Sequence, residues 1–157
     1  MTFQLYLATR FNNVRVVTWN LWWRFGPWEA RHPAILTTLE NIDADIICLQ
    51  EIWNKPKNVN FNLAGYHDLC FKIRDESGLN SNAGGGVSLW IDSSYEYELL
   101  EDLSIFVPHV YESIFVMIKI PGKKDTIFGN IYRPNTAPLA DLSRAIEIHS
   151  SIIQKIS

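Results

Sequence analysis

The amino-acid sequence predicts an α/β or α+β fold, built on a mixed, mainly antiparallel sheet with flanking helices. Three observations support this prediction. A strand, a helix and a second strand follow one another early in the chain, further strand-like segments follow with turn-rich connections, and an amphipathic helix comes last. The chain has 157 residues, of which 47% are hydrophobic and 13% aromatic, as expected for a single domain with its own core.

The first three elements form a strand–helix–strand unit. Residues 14–19 are β-branched and aromatic, which is typical of a strand. Residues 46–49 form an apolar run that fits a strand buried on both faces. Between them, Pro33 ends a loop, and residues 34–41 are expected to form a helix because their apolar side chains recur at helical spacing.

The second part of the chain predicts an antiparallel meander, with strands at residues 66–73, 87–91, 97–103, 113–120 and 126–132. The three glycines at 84–86 are followed by neither a GK[ST] sequence nor a helix. They therefore indicate the abrupt start of a strand and not a phosphate-binding loop. A final helix is predicted from apolar residues at helical spacing, namely Leu139, Leu142, Ile146, Ile153 and Ile156.

Charge and composition narrow the class of protein. The net charge of −3 argues against a broad basic surface for nucleic acid. Cys48 and Cys70 lie in apolar strands and are expected to be buried thiols. No secretion signal or membrane-spanning stretch is apparent, so we expect an intracellular protein, cytoplasmic or nuclear. Residues 1–13 are expected to be an extension that precedes the domain at 14–157.

Polar side chains follow the two strands of the strand–helix–strand unit. Such units have a right-handed crossover and parallel strands, so both strands should end at the same edge of the sheet. Asn20 follows the first strand, and Gln50 and Glu51 follow the second. Ligand sites in such sheets lie beyond the carboxyl ends of the strands. The alternative is an asparagine in a local turn and a solvated glutamate.

A third strand end could add to this edge. The sequence TIFGNIY ends in Tyr132 and is followed by Arg133, Pro134 and Asn135. If this strand runs alongside the others, a phenol, a guanidinium and a second amide join the carboxylate of Glu51. Mg²⁺ prefers carboxylate oxygen and water, and leaves positions for a substrate phosphate. The group of side chains therefore fits phosphodiester or phosphomonoester hydrolysis.

Four segments together carry a family resemblance. VVTWNLWW, ADIICLQEIW, GGGVSLWI and GNIYRPN occur in the order found in the endonuclease/exonuclease/phosphatase superfamily, which includes DNase I-like nucleases. The part from GGGVSLWI to GNIYRPNTAP most resembles the endonuclease domains of non-LTR retrotransposons. The chain as a whole resembles that branch and the abasic-site endonucleases. WNLWWRFGPWEAR is more similar to free-standing bacterial members. The resemblance extends over nearly the whole chain from Val14 onward.

The resemblance implies roles for individual residues. Glu51 resembles the metal-binding glutamate of the family, and Asn20 the asparagine that supports the metal and the phosphate. Tyr132 resembles the active-site tyrosine, and Asn135 an asparagine that positions the substrate. Arg133 occupies a variable position of the motif, so a phosphate contact there is an expectation of its own. The implied cofactor is Mg²⁺, or Mn²⁺ in its place.

The chain departs from the family pattern in its later motifs. It contains no GDxN sequence and no SDH-like segment, and none of its histidines lies in a suitable Asp-His pair: His32, His67, His109 and His149. The resemblance therefore implies the N-terminal half of the domain, without the general base. Such a half should supply little more than one of the family's two sheets, and an uncovered apolar sheet face should cause self-association.

These observations lead to three hypotheses on function. The first is a Mg²⁺-dependent phosphoesterase, most specifically a DNA endonuclease, present as an incomplete copy. The second is a catalytically inactive remnant that at most binds a partner chain or nucleic acid. The third keeps the hydrolase class but has a phospholipid, an inositol phosphate or a nucleotide as the substrate.

Overall fold

The computed structural model describes residues 6–11, 13–21, 28–52, 62–71, 85–107, 110–133 and 139–156. Within these ranges the strands form two sheets, and two helices flank them. In chain order the elements are β1 Tyr6–Phe11, β2 Val14–Asn20, α1 Trp28–Ile42, β3 Ile46–Gln50, β4 Tyr66–Phe71, β5 Val87–Asp92, β6 Glu96–Leu99, β7 Phe106–Val107, β8 Tyr111–Lys119, β9 Thr126–Tyr132 and α2 Leu139–Ile156.

The first sheet has the strand order β1-β2-β3-β5-β4. β2 and β3 are parallel, as predicted for the strand–helix–strand unit, and the other neighbouring pairs are antiparallel. α1 packs on one face of this sheet, where Ile35 and Leu39 are buried with Val17, Leu49 and Trp90. The parallel pairing brings the ends of β2 and β3 to the same edge of the sheet.

α1 begins earlier than predicted. Its first residue is Trp28 and not Ala34, so Pro33 lies inside the helix. A proline lacks the backbone N–H and therefore removes one hydrogen bond of the helix. The helix continues through this loss and buries Ile35 and Leu39 in the turns that follow. The prediction treated Pro33 as a loop residue and so placed the start of the helix too late.

The second sheet is antiparallel and is built around β8. This strand pairs along one edge with β9, and along the other with β6 and β7. The predicted strand at 97–103 ends as β6 at Leu99, because the N–H groups of Leu103 and Ser104 both donate to the carbonyl of Leu100 in a turn. β8 starts two residues earlier than predicted, and β1 and β7 were not predicted at all.

The two sheets pack face to face. Ile46 and Leu89 of the first sheet share a buried cluster with Ile114 and Val116 of the second. α2 covers the outer face of the second sheet, where Ile152 is buried with other apolar residues, Leu103, Val110, Tyr111, Phe115 and Ala145. The layers therefore follow the order helix, sheet, sheet, helix, which confirms the predicted mixed α/β fold.

The expectation that this chain supplies little more than one sheet is wrong. The second sheet covers the inner face of the first, so that face is a buried core and not an open surface. Among the residues that the structure describes, the large apolar side chains that stay exposed lie elsewhere. They are Ile127 and Ile131 on β9, and Ile146 and Ile153 on α2.

Two smaller expectations concern the thiols and the membrane. Cys48 is a buried free thiol, as predicted, and its burial raises its pKa to about 12. The side chain of Cys70 lies outside the part that the structure describes. Within the described residues, neither helix combines the length and the apolar character needed to cross a bilayer.

Candidate functional site

The ends of β2 and β3 lie side by side, as the parallel pairing predicts. Asn20 is opposite Gln50 in the register, and the N–H of Leu21 donates to the Gln50 carbonyl at 2.9 Å. Arg31 of α1 donates to the Leu21 carbonyl at 2.7 Å, which ties the helix to the end of β2. The Asn20 side chain is exposed and that of Glu51 is half-buried. Asn20 and Glu51 therefore lie at the same edge of the first sheet.

Glu51 has an unusual backbone conformation. Its φ is 55°, in the left-handed region that non-glycine residues rarely adopt. Holding a residue there costs about 1–3 kcal/mol, and such residues are concentrated at functional sites. The next N–H, that of Ile52, is directed at the carbonyl of Gly86 at 3.5 Å. The chain thus turns sharply at Glu51, immediately after the last residue of β3.

Tyr132 reaches this edge from the opposite sheet. Its hydroxyl donates a hydrogen bond to Glu51 Oε1. The strand TIFGNIY does not itself run alongside β2 and β3, because β9 pairs with β8 in the second sheet. The prediction of where the phenol lies still holds, because the two sheets pack face to face. Tyr132 and Glu51 meet at the end of the interface between them.

Arg133 and Asn135 follow β9. Arg133 is half-buried, and its Nε is buried without a hydrogen-bond partner among the described residues. A buried guanidinium N–H of this kind usually has an acceptor, so the position suits an anionic group. Asn135 lies outside the described residues.

A buried hydrogen-bond network surrounds Gln50, the residue that precedes Glu51. The Gln50 Nε2 donates to Asn130 Oδ1 at 2.6 Å and to Thr18 Oγ1 at 3.0 Å. Asn130 Nδ2 donates to the carbonyls of Leu49 and Ser88, both at 2.9 Å. Gln50 lies on β3 and Asn130 on β9, so the network joins the two sheets beside the residue that carries the carboxylate.

Asn130 was not predicted from the sequence, although a signal was present. Asparagine is disfavoured in strands, and TIFGNIY otherwise has strong strand-forming residues around it. In the structure, Asn130 is only 2% exposed. A buried amide requires hydrogen-bond partners. The sequence does not show which sheet supplies those partners.

Glu112 is a second carboxylate, and it was not among the predicted site residues. It lies on β8 and is fully buried, with Oε2 accepting a hydrogen bond from the Gly86 N–H at 2.7 Å. Gly85 and Gly86 have φ values of 119° and 90°, which an L-residue with a side chain rarely adopts. They lead directly into β5 at Val87. This agrees with the prediction that the glycines mark the start of a strand.

The donor atoms at this edge fit a hard cation. Glu51 offers a carboxylate and Asn20 an amide oxygen, which are ligand types that suit Mg²⁺. The described residues contain no group of three or more histidine, cysteine, aspartate or glutamate side chains placed to hold a metal. Mg²⁺ fits such a sparse set, because it keeps several water molecules and binds through one or two carboxylates and substrate phosphates.

Comparison with known proteins gives one family match. The model of a family described as the Endonuclease/Exonuclease/phosphatase family matches residues 17–146, which is most of the chain. The matched region extends from within β2 to within α2 and therefore includes Asn20, Glu51 and Tyr132. No curated protein matches the chain.

Proposed function

We propose that this chain, which belongs to the endonuclease/exonuclease/phosphatase family, is the metal-binding part of a Mg²⁺-dependent phosphoesterase that acts on DNA. Membership places it among phosphodiesterase- and phosphatase-type hydrolases. The main support for the metal is the position of Glu51, whose carboxylate lies at the edge of the sheets beside Asn20 and within hydrogen-bond contact of Tyr132.

In this proposal each side chain has a distinct task. Glu51 and Asn20 hold the cation, and a bound Mg²⁺ polarises the phosphate and stabilises the leaving oxygen. Tyr132 orients the Glu51 carboxylate through its hydroxyl and contacts the phosphate. Arg133 binds a phosphate oxygen, which is supported by its buried Nε without a partner among the described residues. Asn135, which follows in the sequence, is assigned the positioning of the substrate.

DNA is the proposed substrate on the basis of the resemblance of the chain to retrotransposon and abasic-site endonucleases. The net charge of −3 argues against a broad positive surface that holds the phosphate backbone. Binding must therefore rely on the cation and on single groups such as Arg133. A phospholipid, an inositol phosphate or a nucleotide presents the same phosphate chemistry, so a substrate panel must include all three.

The test uses Glu51→Gln, which keeps the shape of the side chain but removes its charge. We expect the wild-type chain to bind Mn²⁺ and the variant to bind it at least tenfold more weakly. Residue-specific line broadening of amide NMR signals measures both affinities. The matched control is Glu40→Gln, an exposed change on α1. Equal Mn²⁺ affinity in the Glu51 variant and the wild type would contradict the proposal.

A second candidate function is a binding module without catalysis. It is favoured by the absence of GDxN and of a suitable Asp-His pair from these 157 residues, which leaves the chain without a general base of its own. Cleavage of an abasic oligonucleotide, plasmid DNA or a generic phosphodiester with Mg²⁺ or Mn²⁺ decides between the two. Metal-dependent hydrolysis that is lost in Glu51→Gln supports the enzyme, whereas Mn²⁺ binding without hydrolysis supports the binding module.

We also infer that the chain self-associates. Since the inner face of the first sheet is covered, this inference rests on the outer face of β9, where Ile127 and Ile131 are each 37% exposed. Among the described strands, β9 pairs only with β8, so no described strand lies along its other edge.

A further inference from the structure

Glu112 is a buried carboxylate, and a buried charged group needs specific partners. It is 0% exposed and lies on the inner face of β8, directly opposite Tyr132 in the register of β8 and β9. Side chains of directly opposite residues lie on the same face of a sheet. Glu112 and Tyr132 therefore both face the first sheet, and Tyr132 contacts Glu51 there.

A chain of hydrogen bonds connects Glu112 to the backbone at Glu51. The carboxylate accepts from the Gly86 N–H at 2.7 Å, and the Gly86 carbonyl faces the Ile52 N–H at 3.5 Å. Ile52 directly follows Glu51, whose φ of 55° must be held by its surroundings. Glu112 is thus linked to the backbone next to Glu51 through two contacts, while Tyr132 contacts the Glu51 carboxylate directly.

The chemistry of this contact favours a carboxylate over an apolar side chain. Taking a charged group out of water is unfavourable unless hydrogen bonds replace the lost hydration. Hydrogen bonds from a backbone N–H to a carboxylate are shorter and stronger than neutral ones. An apolar residue at this position would leave the Gly86 N–H buried without this acceptor. The glycine segment would then lose the contact that holds it beside Ile52.

We propose that Glu112 is a positioning residue for the metal site: by accepting the Gly86 N–H, it holds the backbone that presents the Glu51 carboxylate to the cation. This inference rests on the proposed function, because it assigns Glu112 to the same site. Glu112 acts through Gly86 and Ile52 and does not itself bind the cation.

The test compares Glu112→Ala with Glu112→Gln in the full chain. Alanine removes the acceptor, whereas the glutamine amide oxygen retains it without the charge. With Mn²⁺ alone as the probe, we expect the dissociation constant to rise at least tenfold in the alanine variant and to stay within threefold of wild type in the glutamine variant. Wild-type affinity in Glu112→Ala, or equal weakening in both variants, would overturn the inference.

Two further measurements keep the result decisive. If Glu112→Ala fails to fold, the wild type is titrated with Mg²⁺, and the amide signals of Ile52 and Gly86 should shift together. A Gly86 signal that does not move at saturation overturns the inference.

Glu51→Gln is titrated in parallel. Loss of Mn²⁺ binding in Glu51→Gln with wild-type binding in Glu112→Ala rejects only the role of Glu112, whereas unchanged binding in Glu51→Gln rejects the proposed function.

Discussion

At the scale of single residues, the site depends on polar groups buried between the sheets. Asn130 uses both ends of its amide: Oδ1 accepts from Gln50, and Nδ2 donates to the carbonyls of Leu49 and Ser88. These partners lie on β3 and β5, so one side chain of the second sheet is bonded to two neighbouring strands of the first. Asn130 therefore fixes how the two sheets are aligned next to Glu51.

Replacing Asn130 with alanine should destabilise the protein by about 1–3 kcal/mol, because this is the cost of leaving a buried polar group without its partner. Urea unfolding followed by circular dichroism measures the change. Asn41→Ala on the exposed face of α1 is the matched control and should leave the free energy of unfolding within about 0.5 kcal/mol. An Asn130 variant as stable as this control would show that the network contributes little.

The residues of the site differ in how far the sequence could predict them. The position of Asn20 and Glu51 at one sheet edge could be predicted, because they follow strands whose parallel pairing is dictated by the strand–helix–strand order. Tyr132 was found from its motif, although its strand lies in the other sheet. Asn130 and Glu112 were missed, because their partners belong to segments far away in the chain. Only the packing of one sheet on the other brings these partners together.

At the scale of elements, β9 has to lie close to the ring of Phe115. A Cβ added to Gly129 would lie 2.2 Å from Phe115 Cε1, which no real contact allows. Phe115 belongs to the cluster under α2 that includes Ala145 and Ile152, so its ring has little room to move away. Gly129 is needed for this close approach. The approach positions the part of β9 that carries Asn130 and Tyr132.

Gly129→Ala should therefore destabilise the protein by about 1–3 kcal/mol through overpacking. The double variant Gly129→Ala with Phe115→Leu should recover part of this loss, because the smaller side chain leaves room for the new methyl group. A double-mutant cycle from urea unfolding measures the coupling. Strictly additive effects of the two changes would contradict the proposed clash.

The elements also show which sequence patterns are informative. α2 and the strands β2, β3, β5 and β9 were predicted to within a few residues, because each has a clear apolar period or run. The start of α1 was hidden by Pro33, and the end of β6 by an apolar pair, Leu99 and Leu100, that continues into a turn. β7, Phe106–Val107, is too short to produce a pattern.

At the scale of the whole molecule, the large apolar side chains that are exposed among the described residues lie on β9 and α2. Ile127 and Ile131 alternate along the outer face of β9, while Ile146 and Ile153 are 56% and 51% exposed on α2. β9 itself carries no lysine or proline, the residues that commonly protect an edge strand from pairing. The surface therefore combines apolar side chains with a strand edge that a second copy of the chain can extend.

We expect the average mass of the wild-type chain in static light scattering to rise with concentration. Ile131→Lys should suppress this rise, because a charged side chain on an edge strand opposes pairing and interrupts the apolar surface. Ser94→Lys is the matched control, since it adds the same charge in an exposed turn between β5 and β6 and should leave association unchanged. A wild-type chain that stays monomeric at high concentration would contradict the inference. Equal association of the Ile131 variant and the wild type would place the contact on another surface.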